Sequence, residues 1–451
     1  MRAPGSDPHD PYPRPDRAER DAALAHLRRA RHEAPRSPRI PAGVQPRDIE
    51  TGGVVGFGTM GRGIALCFAN AGIPVRVVES SDEAWRAGTA SVAGSLSRAV
   101  ARGRIEAPQA ERRVARITRA DGFEDLGAAD FIVEAVFEDL AMKEAVFRKL
   151  DRVAALRAVL ATNTSSLDVN RIAAATARPE AVLGAHFFSP AHAMPLLEVV
   201  VGDATSPVAL QTALGLGCRL GKVPVPVGVC DGFVGNRMLY ALRGQADALL
   251  LEGALPERVD GALTGFGFRM GPFAVADLAG LDIGHAVQQR IAAEKIARGE
   301  PPPEASVADR LAELGRFGQK TRRGFYRYQP GDRTPHPDPD VAAIVREESA
   351  ARGLRRRRIP TREIVERSVF ALVDEGARIL AEGIASRESD LDVVWTLGYG
   401  FPAERGGPMW FARNGPGLEA VASAMRQYAR RSLVGARPPS EALLALADAG
   451  R

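Results

Sequence analysis

The stretch that begins at residue 54 combines an apolar run, a glycine-rich turn and a helix-like segment. The run is VVGF at 54–57, the turn is GFGTMG at 56–61, and the helix-like segment continues through Ala71. A strand, a tight turn and a helix in this order form the first unit of an alternating α/β fold. This context, more than the glycines alone, predicts a sheet with helices packed on it.

The alternation continues as far as about residue 226. Short apolar runs typical of strands are separated by Ala-rich stretches typical of helices. The further runs lie at 75–78, 131–135, 159–162, 182–188 and 197–201. Strands that alternate with helices predict a Rossmann-type α/β domain, with a doubly wound, mostly parallel sheet covered on both faces.

The glycine-rich turn predicts a dinucleotide site. Gly56 permits the tight turn, Gly58 lets the backbone approach a pyrophosphate, and Gly61 lets the helix pack on the strand. The pyrophosphate would then lie at the positive end of the helix, beside Thr59 and Met60.

The residue that ends the next apolar run selects between two dinucleotides. Glu79 lies 18 residues after Gly61. A carboxylate there accepts hydrogen bonds from the ribose hydroxyls of NAD and repels the additional phosphate of NADP. Arg76 is the nearest cation, and strand alternation places it on the opposite face from Glu79. We therefore expect NAD as the cofactor.

Long helical patterns replace the strand signal after residue 231, and they include an internal repeat. The first helical stretches are 235–252, 256–264 and 306–314. At an offset of 130 residues, NRMLYALRGQADALLLEG at 236–253 lies over ERSVFALVDEGARILAEG at 366–383. Both copies continue into an acidic stretch and a Gly-Pro pair. We therefore expect two related all-α domains, although Ala-rich helices can also match by chance.

These patterns predict five segments. Residues 1–48 form a Pro/Arg-rich extension with one short helix at 16–33, in which Asp16 is the N-cap. The apolar positions of that helix are Ala18, Ala22, Leu24 and Leu27. The other segments are an NAD-binding domain at 49–229, a helical domain at 230–330, a linker at 331–361 and a second helical domain at 362–451.

Composition excludes several classes of protein. The 451 residues are 45% hydrophobic and 25% charged, as in soluble globular proteins. No apolar run approaches the roughly 20 residues that span a bilayer, and the N-terminal residues lack the apolar core of a secretory signal. Three cysteines suit neither a disulfide scaffold nor a four-cysteine zinc site. The net charge of +5 comes from Arg scattered among acids. We expect no metal, no nucleic acid, no membrane and a cytoplasmic location.

Three segments place polar residues where a sheet is otherwise apolar. They are ATNTSS at 161–166, GAHFFSP at 184–190 and MPLLEVV at 194–200. The last two contain His186 and Glu198, and a buried ionisable group is costly unless it is paired. These two residues are suited to pair with each other. The residues alone leave both a structural pair and a catalytic pair open.

Long ordered segments around these residues indicate a family. They are GFGTMGRGIA at 56–65, EAVFEDLAMKEAVF at 134–147, ATNTSSL at 161–167, HFFSP at 186–190, LLEVV at 196–200, CDGFVGNR at 230–237 and FGFRMGPF at 266–273. Together they resemble the L-3-hydroxyacyl-CoA dehydrogenase family. Later segments are similar to the dehydrogenase half of bifunctional hydratase–dehydrogenase enzymes: GRFGQKTRRGFYRY at 315–328, DLDVVW at 390–395 and YGFPAERGGPM at 399–409. We expect no hydratase half, because 50 residues precede this resemblance.

The resemblance implies a role for each site residue. His186 matches the catalytic histidine, and Glu198 matches the partner that orients its ring and stabilises the imidazolium. Ser165 matches the substrate-binding serine, and Asn236 matches the asparagine that helps place the 3-oxygen and the thioester region. Residues expected on the cofactor and nicotinamide side are Glu138, Lys143 and Asn163.

The resemblance also implies an activity and an assembly. The activity is reversible NAD-dependent oxidation of L-3-hydroxyacyl-CoA to 3-ketoacyl-CoA in fatty-acid β-oxidation. The alternatives are another β-hydroxyacid or imine dehydrogenase of similar fold, or a non-catalytic NAD- or CoA-binding relative. Single-copy members pair their helical domain with another subunit, and here the second copy supplies that surface. We therefore expect a monomer with one active site, and a separate hydratase or thiolase is a candidate partner.

The chain departs from the family pattern at three positions. Pro195 replaces a common Lys beside the cleft, Arg322 replaces a common Gly, and Glu404 replaces a common aromatic residue. We expect the first change to alter acyl-CoA affinity and the other two to affect packing or loops. The remaining histidines are expected to be solvated at His9, His26, His32 and His336, structural at His285, and without a direct role at His192.

Overall fold

The structure, a computed structural model, describes residues 12–449, with the backbone alone at residue 294. His9, expected to be solvated, lies outside these residues. The chain divides into two compact units. We call the first the sheet unit, formed by Ala25–Arg237 and Ile379–Tyr399. The second, the helical unit, comprises residues 12–24, Met238–Arg378 and 400–449.

Strands and helices alternate in the first half of the chain, and helices dominate the second half. The strands are β1 (Gly52–Val55), β2 (Val75–Val78), β3 (Ile117–Ala120), β4 (Phe131–Glu134), β5 (Val159–Thr162), β6 (Val182–Phe187), β7 (Leu196–Val201), β8 (Val223–Gly228), β9 (Tyr326–Arg327) and β10 (His336–Pro337). The helices are α1 (Arg17–Glu33), α2 (Thr59–Asn70), α3 (Asp82–Ala101), α4 (Ala107–Ala115), α5 (Leu140–Val153), α6 (Val169–Ala173), α7 (Pro207–Arg219), α8 (Gly235–Glu252), α9 (Pro256–Phe266), α10 (Pro272–Ala279), α11 (Leu281–Ala297), α12 (Val307–Glu313), α13 (Pro339–Ala351), α14 (Thr361–Ala381), α15 (Glu388–Gly398), α16 (Pro408–Asn414), α17 (Leu418–Arg431) and α18 (Glu441–Asp448).

An eight-stranded sheet forms the core of the sheet unit. Its strand order is β3-β2-β1-β4-β5-β6-β7-β8, and β6–β7 is the antiparallel pair among parallel neighbours. Alternate residues face two apolar layers, so Val54 packs in one layer and Val55 in the other. This arrangement confirms the predicted Rossmann-type, mostly parallel α/β fold with a helical C-terminal region.

The strand patterns missed both edge strands of this sheet. In β3, Thr118 and Arg119 are exposed, so the strand carries no apolar run. In β8, Pro224 and Pro226 alternate with valines. Proline lacks the N–H that a central strand needs, and an edge strand tolerates it.

Helix α1 confirms one prediction and corrects another. Asp16 caps it, because the N–H of Glu19 donates to Asp16 Oδ1 and the N–H of Asp16 donates to Glu19 Oε2, both at 2.9 Å. The apolar positions proposed at Ala18 and Ala22 are wrong, since both are exposed. The buried stripe is Ala23, Leu27, Ala30 and Ala34. Its spacing follows the helical period, which the Ala-rich sequence does not mark clearly.

Helices α8, α9 and α12 match the predicted helical stretches to within two residues. The segment 331–361, expected to be a linker, contains α13. In the helical unit, Asp260 accepts the N–H groups of Phe273 and Ala274 at 3.1 and 2.9 Å and the hydroxyl of Tyr326 at 2.9 Å. Burial raises the pKa of Asp260 to about 6, although these hydrogen bonds favour its ionised form.

Candidate active site

Four parallel strands bring the predicted site residues to one edge of the sheet. The carboxyl ends of β1, β4, β5 and β6 share this edge, because neighbouring parallel strands run in the same direction. The glycine-rich turn follows β1, Glu138 follows β4, Asn163 and Ser165 follow β5, and His186 is the penultimate residue of β6. Ligands bind at such edges in doubly wound sheets.

The glycine-rich turn has the geometry that its sequence predicts. Gly56 adopts φ +92°, a conformation that favours glycine. A Cβ on Gly61 would lie 1.9 Å from the carbonyl oxygen of Gly56, so a side chain there would separate helix from turn. A Cβ on Gly58, the N-cap of α2, would meet nothing within 4 Å. The space beside Gly58 is therefore open toward the helix N-terminus, where Thr59 and Met60 form the first turn.

Glu79 lies directly after β2 and turns back to the glycine-rich turn. Its Oε2 accepts the N–H of Phe57 at 2.9 Å, and its Oε1 accepts the N–H of Ser81 at 3.0 Å. Arg76 instead lies 3.7 Å from Asp125. The carboxylate of Glu79 is thus fixed beside the turn.

A second cation near Glu79 was missed from the sequence. Arg119 donates to the backbone carbonyl of Glu79 at 3.0 Å and to Asp82 at 2.6 Å, and it lies over the ring of Trp85 at 6.0 Å. It comes from β3, whose polar residues gave no strand signal. Asp82 neutralises much of its charge.

His186 and Glu198 form a buried pair. They are register partners across β6 and β7, and His186 Nδ1 lies 2.7 Å from Glu198 Oε2. The side chain of Glu198 is 0% exposed and that of His186 is 9% exposed. Glu198 Oε1 also accepts the N–H of Gly235 at 2.9 Å, so both carboxylate oxygens are occupied.

This pairing fixes the tautomer of the imidazole. An ionised Glu198 can only accept, so the proton of neutral His186 lies on Nδ1 and Nε2 is a free base. The rings of Phe188 and Phe233 lie 4.5 and 5.8 Å from the imidazole ring and shield it. The pair is therefore arranged to accept a proton at Nε2.

The loop after β5 is organised by a half-exposed carboxylate. Glu138 Oε1 accepts from Thr164 Oγ1 at 2.6 Å, from the N–H of Ser165 at 2.7 Å and from Ser165 Oγ at 3.1 Å. Burial acts to raise the pKa of Glu138, but Lys143 and these hydrogen bonds outweigh it and hold the pKa below its usual range. Nearby, Asn163 Oδ1 accepts the N–H of Phe187, next to His186, at 3.0 Å.

Lys143 belongs to a buried network centred on Glu134, a residue that was not predicted from the sequence to be part of the site. Its Nζ donates to Glu134 Oε1 at 2.7 Å and lies 3.5 Å from Glu138 Oε2. Thr162 donates to the other oxygen of Glu134 at 2.7 Å. The signal was present, because Glu134 ends an otherwise apolar strand nine residues before a lysine.

Asn236 connects Ser165, in the loop after β5 that we call the serine loop, to Tyr399, which lies far along the chain. Its Nδ2 donates to the carbonyl oxygen of Ser165 at 3.5 Å. Its Oδ1 accepts the hydroxyl of Tyr399 at 2.9 Å. The structure thus brings Ser165 and Asn236 together, with Gly235 joining them to the His186–Glu198 pair. Tyr399 begins the family-like segment at 399–409, but nothing in the sequence predicted its contact with Asn236.

Known proteins match both the sheet-forming part of the chain and the helices that follow it. Residues 51–230 match the family described as 3-hydroxyacyl-CoA dehydrogenase, NAD binding domain, and residues 232–328 match its C-terminal domain. The crystal structure of (S)-3-hydroxybutyryl-CoA dehydrogenase from Ralstonia eutropha is 34% identical, with a TM-score of 0.59, over 63% of this chain and 100% of that one. The chain belongs to the 3-hydroxyacyl-CoA dehydrogenase family.

Longer members of the 3-hydroxyacyl-CoA dehydrogenase family also match the helical C-terminal region. The dehydrogenase part of multifunctional enzyme 1 from C. elegans is 29% identical, with a TM-score of 0.66, over 96% of this chain and 98% of that one. The peroxisomal bifunctional enzyme of Danio rerio is 43% identical over 403 residues, which are 86% of this chain and 55% of that protein. The chain spans about half the length of the curated relatives it matches.

The three residues that depart from the dehydrogenase family pattern lie just before β7, in a left-handed turn and in a helical turn. Pro195 precedes β7, and its carbonyl accepts the N–H of Val223 at 2.8 Å. Lys222 donates to the carbonyl of Met194 at 2.8 Å, so a different lysine reaches this connection. Arg322 adopts φ +59°, a left-handed backbone conformation that glycine adopts easily. This explains why glycine is common at this position in the family, since the conformation costs another residue about 1 kcal/mol or more. Glu404 lies in the helical turn Ala403–Arg405.

The histidines outside the site include one correction. His26 is not solvated, because its Nε2 lies 2.9 Å from Asp392 and its side chain is 14% exposed. Their separation of 366 residues left no trace in the sequence around His26. His32 and His336 are exposed, and His285 contacts Asp309 at 2.9 Å. His192 is exposed, and partial burial followed by Lys222 and Arg98 lowers its pKa.

Within residues 12–449, no group of three His, Cys, Asp or Glu side chains could hold a metal ion. No helix among these residues is both long and apolar enough to cross a membrane.

Proposed function

We propose that this chain oxidises L-3-hydroxyacyl-CoA to 3-ketoacyl-CoA with NAD, reversibly, in fatty-acid β-oxidation or related acyl-CoA metabolism. The observation that carries the proposal is the His186–Glu198 pair at the sheet edge that also holds the glycine-rich turn. Ser165 and Asn236 add hydrogen-bonding groups beside it. Alcohol oxidation needs a base for the hydroxyl proton, groups that hold the reacting oxygen, and a hydride acceptor.

The residues around the glycine-rich turn fit a dinucleotide. The open space at Gly58 and the N-terminus of α2 suit a pyrophosphate, which we assign to Gly56, Gly58, Thr59, Met60 and Gly61. Glu79 keeps free lone pairs on both oxygens and suits ribose hydroxyls. When bound, NAD supplies the hydride acceptor. The fixed carboxylate disfavours the extra phosphate of NADP, and Asp82 limits how far Arg119 can offset it.

His186 acts as the general base in this proposal. Its Nε2 accepts the substrate hydroxyl proton as the hydride leaves, and Glu198 stabilises the resulting imidazolium through Nδ1. The Ser165 hydroxyl, which donates to Glu138 here, turns to the reacting oxygen when substrate binds. An Asn236 N–H donates to the same region. In the reverse direction His186 returns the proton to the reduced carbonyl.

Asn163, Glu138 and Lys143 support this site on its cofactor side. Asn163 holds the backbone beside His186, and Glu138 holds the serine loop. Lys143 is buried and paired with Glu134, so it acts through Glu138 and not by direct contact. Their predicted places beside the nicotinamide stay predictions.

We also propose that the C-terminal helices are a second, non-catalytic copy of the first helical domain. We call α8, α9 and α10 the first helical block, and α14, α15 and α16 the second. The order of elements supports the proposal, because each helix of the first block has an equivalent in the second block in the same order. Both α10 and α16 begin with Gly-Pro. Glu366 replaces Asn236 in the alignment, and its carboxylate accepts from Tyr12 at 2.9 Å, Arg362 at 2.8 Å and Tyr428 at 2.5 Å. This buried carboxylate is committed to protein donors.

Contacts inside the helical unit support a monomer. Phe266 of the first block packs edge-on against Phe401 and Phe411 of the second, at 5.9 and 5.1 Å between ring centres. Arg367 donates to Glu252 at 2.9 Å, with side-chain exposures of 1% and 0%. The second block thus covers apolar and charged surface of the first block, as a second subunit does in single-copy members.

We limit the proposed activity of the 451-residue chain to dehydrogenation. The family models that match residues 51–230 and 232–328 both describe dehydrogenase domains. Hydration of crotonyl-CoA by the pure chain would contradict this. A separate hydratase or thiolase is the proposed partner, and a cytoplasmic location stays a prediction beside relatives named peroxisomal.

Reduction of acetoacetyl-CoA and longer 3-ketoacyl-CoAs by NADH, followed by absorbance, tests the proposed function. We expect turnover with these thioesters and none with free β-keto acids. Turnover of the free acids alone would favour another β-hydroxyacid dehydrogenase. NADH binding without turnover of any of these compounds would favour a non-catalytic relative.

A further inference from the structure

The carboxamide of Asn236 is held between the carbonyl oxygen of Ser165 and the hydroxyl of Tyr399. The carbonyl oxygen of Ser165 can only accept, so the amide nitrogen must face it. The amide oxygen then faces Tyr399, whose hydroxyl donates to it at 2.9 Å. Rotating the amide by half a turn would place two oxygens against each other at Ser165. The Tyr399 hydroxyl, whose contact is the shorter of the two, then holds the amide oxygen in place.

The ring of Tyr399 is itself held on several sides. It stacks on Trp395, one helical turn earlier, with 4.9 Å between ring centres, and its edge meets Phe188 at 5.5 Å. A Cβ on Gly235 would lie 2.2 Å from the ring, so glycine at that position makes the approach possible. Phe188 also contacts His186 at 4.5 Å.

The segment that carries Tyr399 is tied to the start of α8 and to the end of β8 independently of the tyrosine. The guanidinium of Arg237 forms a two-pronged pair with Glu382, at 2.5 and 2.7 Å. The N–H of Gly228 donates to the carbonyl of Ile384 at 2.7 Å. Loss of the Tyr399 hydroxyl should therefore leave this segment in place, because these contacts and the ring packing remain.

We propose that Tyr399 is a positioning residue for Asn236. Its hydroxyl holds the carboxamide with Nδ2 at the carbonyl of Ser165, so that the second N–H of Nδ2 is available to the 3-oxygen or the thioester of the substrate. The inference rests on the proposed function for the identity of that oxygen. Through Tyr399, the C-cap of α15, it gives the C-terminal helices an indirect influence on catalysis in addition to their packing role.

A double-mutant cycle separates this role from simple packing. Y399F keeps the ring and removes the hydroxyl. We expect it to lower kcat for acetoacetyl-CoA reduction about 3- to 10-fold, the usual worth of one neutral hydrogen bond. The KM for NADH and the Tm should stay at wild-type values. In the N236A background, Y399F should cause no further loss, because its effect passes through Asn236.

Matched measurements make the result decisive. Y428F removes a tyrosine hydroxyl in the helical unit and should leave kcat unchanged. Equal losses from Y399F with and without Asn236, or no loss at all, would overturn the positioning role. A crystal structure of Y399F reads the same role without turnover, and we expect Asn236 to show more than one carboxamide orientation with Trp395 unmoved. An unchanged Asn236 there would also overturn it, whereas an inactive wild type would count against the proposed function alone.

Discussion

The Nδ1 atom of His186 and the Oε2 atom of Glu198 lie 2.7 Å apart across the single antiparallel strand pair of the large sheet. The antiparallel register is what places the two side chains on the same face, directly opposite each other. The pair leaves Nε2 of His186 as the basic atom, so replacement of His186 tests the assignment of the general base.

His186→Gln should cut turnover about 100- to 10,000-fold, the usual contribution of a general base. Gln keeps the size and polarity of the site but cannot accept a proton at neutral pH. NADH binding, measured by fluorescence titration, should stay close to wild type. A variant that retained most of its turnover would remove His186 from the catalytic assignment.

Glu79→Gln should raise the KM for NADH about 10-fold or more, since hydrogen bonds to a charged group are worth about 1.5–3 kcal/mol. The KM for NADPH should fall or stay level, because the repulsion of its phosphate is removed while Arg119 remains. Steady-state kinetics with both cofactors gives the ratio. Arg76→Gln is the matched control, and it should leave that ratio unchanged. An unaltered ratio in Glu79→Gln would place cofactor selection elsewhere.

The unfolding free energy should depend on pH because of Asp260. Burial raises its pKa to about 6 from the ordinary value of 3.8, so the folded chain binds this proton more tightly than the unfolded chain. The contribution of Asp260 is therefore most favourable below pH 3.8 and is lost as the pH rises toward 6.

Urea denaturation of the wild type and of Asp260→Asn between pH 4 and pH 7 tests the direction of this pH dependence. The unfolding free energy of the wild type should fall relative to that of the variant as the pH rises through about 4 to 6. A difference that grows in favour of the wild type over this range would show that the hydrogen bonds from Phe273, Ala274 and Tyr326 dominate and keep the carboxylate ionised.

The full chain should be a monomer. Light scattering coupled to size-exclusion chromatography should give a mass near 48.1 kDa, unchanged on dilution. Removal of residues 362–451 should expose the rings around Phe266 and uncover Glu252, which loses Arg367 and keeps Arg357 as its cation. That fragment should therefore aggregate or form a new dimer. A full-length mass of twice that value, stable on dilution, would show that the second helical block does not replace a partner.

The sequence predicted features whose determinants are local. The glycine-rich turn, the apolar strands and the His186–Glu198 pair depend on residues within one strand–turn–helix unit or one short connection. The edge strand β8 was missed because its prolines interrupt the apolar pattern, although an edge position tolerates them.

Contacts between distant residues left no comparable pattern. Tyr399 and Asn236 are 163 residues apart, and His26 and Asp392 are 366 residues apart. Neither Tyr399 nor His26 lies in a segment whose periodicity marks a polar contact. Such pairs follow from the path of the whole chain, which composition and spacing do not specify.

The discontinuity of the sheet unit limits how this protein can be cut. Residues Ile379–Tyr399 belong to that unit, although about 140 residues of the helical unit precede them in the chain. A gene fragment that ends at residue 237 would encode every strand of the large sheet. It would omit α15, which contacts β7 and β8, and the Tyr399 hydroxyl that donates to Asn236. Expression of the dinucleotide-binding half for crystallography or screening therefore requires α15 to be supplied, either by the full chain or by a second polypeptide that restores it.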